Sequence, residues 1–538
     1  MNKFLLFFKS ISRFLALPLL SGILVGTSYI PFGWALFFCY VPLWLQIRRL
    51  INENKKLSHV FVSAWVTQFI LTLIGFNWIY YVTVEFGHLH WTIALGTLLL
   101  FSAFMHLYIP FSLLFAAYLI RKFRIKADLS LFLVLALSMS LIERIWPSIF
   151  EWNLAYTLLW LKLPLFQWAD TVGFWGLSTW IFIIQCFIAL AVIQFKSRRA
   201  VALKTFGLTV ATVMALTGLG ALKKNNWSKA EKTLRIGVIQ GNIGNAEKLQ
   251  SEKKSEFHSF IRKTYTQLTD QLIKSTPTDL VIWPETAMPF IFNTSYHNRP
   301  EQQALLKSVN SWGVPVVTGA YAVTENERDQ FGDLVYRNTV FYVSPTYSFL
   351  AAPYYKTNLL AFGEYMPLGK YLPILYKLLP FVGSYADGSG PVVAPLEVKS
   401  QRVFLGPQIC YDSLAPDFSR DLSRNGAQII FNVTNDSWFG WWAEPFQHQY
   451  MTLARAVEVR RPLVRSTNTG VSSAILADGT VLEESPIDKP WAHTYEIPYR
   501  EKAPLTLYVR FGHYDWIIWL LGLIAVLAIG HNKETPNV

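Results

Sequence analysis

A multispan α-helical membrane domain of about eight transmembrane helices, joined to an α/β domain, is the fold class this sequence predicts, and three features predict it. Residues AVILMFWYC make up 52% of the 538 and charged residues only 15%, mean hydropathy is +0.29, and the apolar share is gathered into runs long enough to cross a bilayer. Lys and Arg cluster in alternate connections between those runs. Past residue 224 the composition turns to that of a water-exposed domain, in which short β-branched runs alternate with amphipathic stretches. Such a chain is neither purely soluble nor disordered. Its 48 Lys+Arg against 35 Asp+Glu, a formal net charge of +13, would in a soluble chain raise nucleic-acid binding. Here the cations mark topology, and with no zinc-finger spacing, RNA-binding aromatic signature or basic helix no nucleic-acid partner is expected.

The eight candidate spans lie near Leu15 to Ile30, Trp34 to Ile47, Ser63 to Tyr80, Trp91 to Ile120, Leu129 to Trp146, Phe174 to Phe195, Thr205 to Leu222 and Trp516 to Ile529. Only Pro31, Phe32 and Gly33 separate the first two, which reads as a tight helical hairpin. Lys3, Lys9 and Arg13 precede span one; Arg48, Arg49, Lys55 and Lys56 follow span two; Arg121, Lys122, Arg124 and Lys126 follow span four; Lys196, Arg198, Arg199 and Lys204 follow span six. Every alternate connection is basic, so the N-terminus is expected inside and the segment after span seven outside, Lys223 and Lys224 being a slight break in the pattern. The basic start and first apolar run lack a small-x-small cleavage site, so an uncleaved helix is expected. Three parts follow: residues 1–224 with seven spans, 225–511 as the exterior domain, and 512–538 as a last span with a short inner tail.

Within 225–511, strands are expected at Leu234 to Gln240, Asp279 to Trp283, Val314 to Tyr321, Asn338 to Val343, Val403 to Cys410 and Ile429 to Thr434, with helices at Glu256 to Ser275 and Gln302 to Trp312. Three segments end or follow these strands, each presenting a reactive group: Val281-Ile-Trp-Pro-Glu285-Thr, Tyr355-Lys356 through Phe-Gly-Glu364-Tyr-Met-Pro367, and Pro407-Gln-Ile-Cys410-Tyr-Asp412-Ser. In open α/β sheets ligands bind beyond the carboxyl ends of strands. Cys410 is the natural nucleophile there, and a thiol needs a base or a cation to react as thiolate, which Glu285 and Lys356 offer. Residue types alone leave open an inert buried Cys beside a surface ion pair. The three cysteines, Cys39, Cys186 and Cys410, form no disulfide framework, and Cys410 is expected as a free thiol.

The trio inside WPET, YxK with FGEYMP, and ICYD resembles the Glu-Lys-Cys signature of the carbon-nitrogen hydrolase (nitrilase) superfamily. Placed after seven spans and before one more, it is similar to one family in particular, the bacterial apolipoprotein N-acyltransferases. Gln240-Gly-Asn242, Thr318-Gly-Ala-Tyr321, Tyr336-Arg-Asn338, Asn435-Asp-Ser-Trp-Phe-Gly440 and Arg461-Pro-Leu with Arg465-Ser-Thr-Asn-Thr-Gly470 extend the likeness along most of the chain. The resemblance implies a nitrilase-like αββα sandwich in the periplasm, on a multi-pass protein of the bacterial inner membrane with both termini cytoplasmic. It implies Cys410 as nucleophile, Glu285 as general base, Lys356 as oxyanion stabiliser and Glu364 in support, with Tyr411 donating a second oxyanion hydrogen bond through its N–H. The implied reaction is ping-pong: Cys410 takes an acyl chain from a phospholipid, expected to be phosphatidylethanolamine, and passes it to the α-amine of a diacylglyceryl apolipoprotein. A monomer is expected, without metal or other cofactor. Asp412 stands where the family commonly has Glu, which puts a direct role for it in doubt.

Other residues are read from their chemistry. Asn435, Trp438 and Phe439, with Trp441 and Trp442, are candidates for substrate and acyl contact. The apolar segment Leu372 to Phe381 reads as an element that dips into lipid or closes as a lid. Glu143 and Arg144, near the outer end of span five, are candidates to shape a headgroup-facing cavity, because intramembrane charges are costly. His106 and His448 lack paired ligand spacing and read as packed side chains, and Asp436 as turn chemistry. Two other classes are weighed: a membrane-tethered amidase with water as acceptor, and a transporter or receptor, for which no internal repeat is found.

Overall fold

The computed structural model describes residues 2–244, 255–292, 300–328, 332–379 and 382–532. The chain divides into two compact units, one of Met1–Val84, His88–Lys223 and Arg510–Val538, the other of Glu85–Gly87 and Lys224–Val509.

The first unit is built of helices. Among the described residues five helical stretches are long and apolar enough to cross a membrane: Leu57–Gly75, Trp91–Lys122, Pro164–Gln194, Arg199–Trp227 and Leu507–His531. Ser12–Ser28 is a shorter apolar helix, and Asp128–Ile145 carries three charged side chains, Asp128, Glu143 and Arg144. The second expected span has an irregular start. Around Trp34 to Ile47 the chain forms a 3-10 turn, Gly33–Ala35, and the helix Val41–Asn52. That helix has 12 residues. It buries Leu43, Trp44, Ile47 and Leu50, while Arg48 pairs with Asp128. The fourth run also breaks, into Trp91–Phe104 and Tyr108–Lys122. At the break His106 Nδ1 lies 2.7 Å from Thr72 Oγ1 and its N–H donates to Gln68 Oε1, a packed histidine as its lone spacing predicts. The charge-pattern break at Lys223 has a local cause: its ammonium lies 2.7 Å from Asp170 and 4.4 Å from the Trp168 ring centroid.

The second unit holds two sheets. The described strands are β1 Lys232–Gln240, β2 Leu280–Ile282, β3 Met288–Ile291, β4 Val316–Arg328, β5 Leu334–Val343, β6 Tyr354–Tyr355, β7 Ala394–Val398, β8 Gln401–Ile409, β9 Ile429–Thr434, β10 Leu463–Thr467, β11 Ser473–Ile475 and β12 Trp491–Tyr499. One sheet runs β12-β1-β2-β4-β5-β6 with β3 beside β4, the other β11-β10-β9-β8-β7. The middle pairs β1/β2, β2/β4, β8/β9 and β9/β10 are parallel. Both faces of these strands are covered, so their middles are buried, as in Ile236 to Gln240, Leu280 to Ile282, Leu405 to Ile409 and Ile429 to Thr434. Between the sheets, Ser466 Oγ donates to Ile282 O, and Gln240 Oε1 accepts from the hydroxyls of Thr467, Ser472 and Ser485. Helices Ser255–Ser275 and Pro300–Trp312 cover the first sheet, where Ile261, Tyr265, Leu305 and Val309 join one core with Ile239, Val281 and Val316. Helices Pro416–Arg424 and Glu444–Val459 lie on the second, completing the αββα layers.

This architecture fixes the segment after β2. Trp283 is fully buried, stacks on Tyr265 at 5.3 Å and donates from Nε1 to Thr269 Oγ1 at 2.9 Å. Gly319 in β4 then lets the turn lie against the strand: a Cβ there would stand 2.5 Å from Thr286 N and 2.6 Å from Pro284 O. Backbone cannot yield as a flexible side chain does, so Gly319→Ala is expected to cost about 1–3 kcal/mol by overpacking and to displace Glu285. A thermal midpoint in detergent equal to the parent's would refute this.

Candidate active site

Glu285, Lys356 with Glu364, and Cys410 come from three separate segments of the second unit. Glu285 follows β2 in a turn whose next residue, Thr286, has φ +47°. Lys356 directly follows β6, and its own N–H donates to Asn338 O at 2.9 Å. Cys410 follows β8, which ends at Ile409, one residue short of the expected strand, and opens a 3-10 turn, Cys410–Leu414. Its φ of +46° is a left-handed conformation that a residue with a Cβ adopts only when its surroundings enforce it.

Lys356 sits between the two glutamates. Its Nζ lies 3.4 Å from Glu285 Oε1 and 2.7 Å from Glu364 Oε2, and Lys356 is 1% exposed. Burial works against its charge, but the carboxylates of Glu364 and Glu285 outweigh it and hold the ammonium well above its usual range. The Cys410 thiol is pushed up, by burial first and by Glu285 second, while Lys356 pulls the other way. Cys410 therefore rests as a thiol, with a carboxylate to take its proton and an ammonium to face the thiolate or a developing oxyanion.

The sequence motif Tyr336-Arg-Asn338 contained a site residue to which no role was given. Asn338 Nδ2 donates to Glu285 Oε1 at 2.6 Å and to Glu364 Oε1 at 3.1 Å, so one amide holds both carboxylates. Only the pairing of β5 with β4 and β6 brings it there, and no spacing in the sequence announces that. The loop bearing Glu364 is tied back to the same strands. Leu360 N donates to Glu364 Oε2 at 2.8 Å, Tyr385 N to Glu364 O at 3.0 Å and Gly388 N to Lys356 O at 2.7 Å.

Asp412 acquires a definite place. Its Oδ1 accepts from the N–H groups of Thr357 at 3.2 Å and Asn358 at 2.7 Å. Its Oδ2 accepts from Tyr354 Oη at 2.7 Å and Ile409 N at 3.0 Å. The carboxylate thus straps the segment after Lys356 to the Cys410 turn.

The remaining candidates are distributed. Tyr411, half-buried, follows Cys410 in the 3-10 turn. Asn435 accepts from Asn468 Nδ2 at 2.9 Å, a packing contact between loops. Trp438 and Phe439 are half-buried, and the Trp438 ring meets Phe86 edge-on at 4.8 Å. Trp441 and Trp442 are exposed, as are Leu372, Ile374 and Leu378. The short helix Ile374–Leu378 buries none of its residues, so it is not a core helix; Pro380 and Phe381 fall outside the described residues. Glu143 and Arg144 belong to the first unit. Glu143 accepts from Tyr108 Oη at 3.1 Å, and Arg144 lies 3.5 Å from Asp515, an interhelical pair. Asp436, Glu444 and His448 have metal-binding side chains within 4.8 Å of one another, but Arg465 Nη2, 2.7 Å from Asp436 Oδ2, already supplies a cation there.

An αββα sandwich with Glu, Lys and Cys at its strand ends defines a carbon-nitrogen hydrolase fold, and the carbon-nitrogen hydrolase family matches residues 224–492. The apolipoprotein N-acyltransferase N-terminal domain matches residues 21–187. The chain is 45% identical over 532 residues to apolipoprotein N-acyltransferase of Bdellovibrio bacteriovorus, covering 98% of this chain and 96% of that protein. With the Geobacter metallireducens protein of the same name it shares 28% identity, over 96% of this chain and 95% of the other. A solved carbon-nitrogen hydrolase of Helicobacter pylori is 16% identical with a TM-score of 0.34, over 54% of this chain and 93% of its own. The chain belongs to the apolipoprotein N-acyltransferase family.

Burial raises the Asp412 carboxyl to about 6, against the pull of the Asn358 and Ile409 N–H groups. A carboxyl raised on folding stabilises the fold fully below its unfolded value, near pH 4, and that contribution is lost as pH rises through about 6. Asp412→Asn abolishes the titration. Relative to this variant the parent should lose roughly 3 kcal/mol between about pH 4 and pH 7; thermal midpoints that stay parallel over the range would show that Asp412 does not titrate there. The amide also turns an NH₂ toward two of the four donors, so activity should fall about tenfold to a hundredfold.

Proposed function

We propose that this protein transfers an acyl chain from a phospholipid, phosphatidylethanolamine, to the free α-amine of the N-terminal diacylglyceryl-cysteine of apolipoproteins, in two half-reactions through a Cys410 thioester. The single observation that carries the reading is the buried Lys356 between Glu285 and Glu364 beside the Cys410 thiol, in a chain with helices of membrane-crossing length.

In the first half-reaction Glu285 takes the thiol proton as Cys410 Sγ attacks the ester carbonyl. The Lys356 ammonium and the Tyr411 N–H stabilise the tetrahedral oxyanion, charge that exists only in the transition state and intermediate. Collapse breaks the ester C–O bond, and Glu285 returns the proton to the departing lysophospholipid oxygen. In the second, the neutral amine attacks the thioester carbonyl, Glu285 accepts a proton from nitrogen, and collapse expels Cys410 as thiolate, which that proton restores to thiol. Glu364 and Asn338 hold Glu285 and Lys356 in place throughout.

The substrates explain the company of membrane helices. Each acyl CH₂ costs roughly 0.8 kcal/mol to expose to water, so a soluble enzyme would have to extract both chains. Trp441, Trp442, Leu372 and Leu378, exposed in the second unit, are proposed to meet acyl chains, with Trp438 and Phe439 behind them. Glu143 and Arg144 are proposed to shape the membrane cavity for the polar headgroup. A monomeric protein of the bacterial inner membrane is proposed, and the alternation of basic connections in the sequence supports a periplasmic catalytic unit and cytoplasmic termini.

Intact mass of the purified protein, incubated with phosphatidylethanolamine, tests the central step. A gain of one acyl chain, removed by neutral hydroxylamine and absent in Cys410→Ala, is expected. Folded protein that never gains an acyl group from any phospholipid would overturn the acyl-transfer reading and favour an amidase.

A further inference from the structure

Behind the nucleophile lies a second buried cluster that the chemistry above does not use. Asp436 follows β9, Glu444 and His448 stand one turn apart on helix Glu444–Val459, and Arg465 belongs to β10. None is more than 2% exposed. Arg465 donates to Asp436 Oδ2 at 2.7 Å and to Asn432 Oδ1 at 2.7 Å. Asp436 Oδ1 lies 3.0 Å from His448 Nδ1, and Glu444 Oε1 lies 3.7 Å from the same nitrogen.

The cluster reaches Cys410 at two points. His448 Nε2 is 3.4 Å from the Cys410 carbonyl oxygen, which also accepts from Asn432 Nδ2 at 3.3 Å and Ser413 Oγ at 2.9 Å. This is the peptide whose φ of +46° is strained, so three donors on its carbonyl hold a turn that the chain would otherwise relax. At the other end, Ile409 pairs with Val433 across the parallel strands β8 and β9, which sets Thr434 alongside Cys410, and the Thr434 hydroxyl donates to Asp436 Oδ1 at 3.5 Å.

Charge and proton counting give the cluster its character. Both ring nitrogens of His448 face acceptors, a carboxylate and a peptide carbonyl, and only the imidazolium donates to both. Glu444 Oε2 is buried without a hydrogen-bond partner, which marks its carboxyl as the other seat for a proton. Burial and then Asp436 push Glu444 up, while burial and then Arg465 pull His448 down. With Asp436 and Arg465 neutralising each other, one proton shared by Glu444 and His448 leaves the four groups neutral together.

We propose that His448 and Thr434 are positioning residues for the nucleophile, His448 fixing the Cys410 peptide through Nε2–H while Asp436 and Arg465 orient its ring, and Thr434 turning its hydroxyl from Asp436 to the sulfur when the thiolate forms. The proposal rests on Cys410 being the nucleophile. No bond is made or broken by either residue; the proton still goes to Glu285, and Thr434 donates a hydrogen bond to the anion left behind.

Two measurements on the full-length protein in detergent separate this proposal from the reading it rests on. Iodoacetamide labelling of Cys410, followed by peptide mass against pH, reports the thiolate without any acyl chemistry. Its profile reflects Glu285, Lys356 and Glu364 on one side and Asp436, Glu444, His448 and Arg465 on the other, so each variant is compared with the parent over the whole range. Thr434→Val is expected to move the labelling midpoint up by about one pH unit and to slow acyl-enzyme formation about tenfold, with Thr434→Ser restoring both. His448→Phe is expected to slow acyl-enzyme formation at least about tenfold at an unchanged half-saturating phospholipid concentration, with His448→Gln, which keeps an N–H donor, recovering most of the rate. A labelling midpoint in folded Thr434→Val equal to the parent's overturns the Thr434 role, and an equal acylation rate in folded His448→Phe overturns the His448 role. Should His448→Phe not fold, a His448→Gln rate no better than that of His448→Asn, whose donor is too short to reach, overturns it instead. If the parent is never acylated, the acyl-transfer reading fails while the labelling midpoints still decide the Thr434 role.

Discussion

The Lys356 ammonium shared by Glu285 and Glu364 is the interaction on which the catalytic unit depends. An isolated ion taken out of water costs several kcal/mol even after relaxation, and two carboxylates bridged by the one Asn338 amide would repel each other without a cation between them. Each of the three charges is tolerable only because the other two are present. Their sum is one negative charge beside a neutral thiol, and moving the thiol proton to Glu285 leaves that sum unchanged. The site can therefore form a thiolate without importing charge, which a preorganised, water-poor environment would otherwise resist.

Holding such a cluster at hydrogen-bond distances is a backbone problem. Lys356 and Glu364 sit in loop, where chain entropy would blur their positions, so the carbonyl of each is occupied: Gly388 N on Lys356 O and Tyr385 N on Glu364 O. Gly388 is required there because a Cβ would run into the Tyr355 carbonyl. Asp412 closes the arrangement from the nucleophile's side, taking N–H groups from both the Lys356 segment and β8. One carboxylate thus transmits the order of a strand to a loop.

What was legible in the sequence follows from range. Glu285 and Cys410 could be singled out because each comes just after an apolar β-branched run, LVIW and VFLGPQI, and strand ends are where α/β sheets present chemistry. Lys356 stands out only as a cation that could serve the thiol, without a strand end to place it, and Glu364 takes its supporting role from the family motifs alone. Asn338 was seen as a motif but given no role, since its function exists only once β5 lies beside β4 and β6. Asp436 reads as turn chemistry and His448 as a lone packed side chain, since the two are twelve positions apart in sequence and meet only when helix Glu444–Val459 folds back onto the segment after β9. In the membrane unit, hydropathy reads Trp34 to Ile47 as one run, whereas its helix starts only at Val41, with Pro42 in the first turn, and ends in an Arg48–Asp128 pair.

The exposed apolar side chains and the charged cluster divide the work in a way that transition-state theory makes necessary. Tyr371, Leu378 and Trp441 are 80%, 68% and 62% exposed, and exposed apolar groups of this kind are the ones that would meet an acyl chain. An acyl chain held by such groups is held equally in the ground state and the transition state, so its methylenes lower KM without accelerating chemistry. In the proposed mechanism Lys356 and an N–H at the oxyanion act on charge that develops only as the tetrahedral centre forms, and so would raise kcat. A membrane makes the first kind of interaction abundant for any chain, because the substrates are already concentrated in the bilayer. Selection among substrates then falls to the polar atoms at the reacting carbonyl and amine, which is why this chain buries its charges so completely around one thiol.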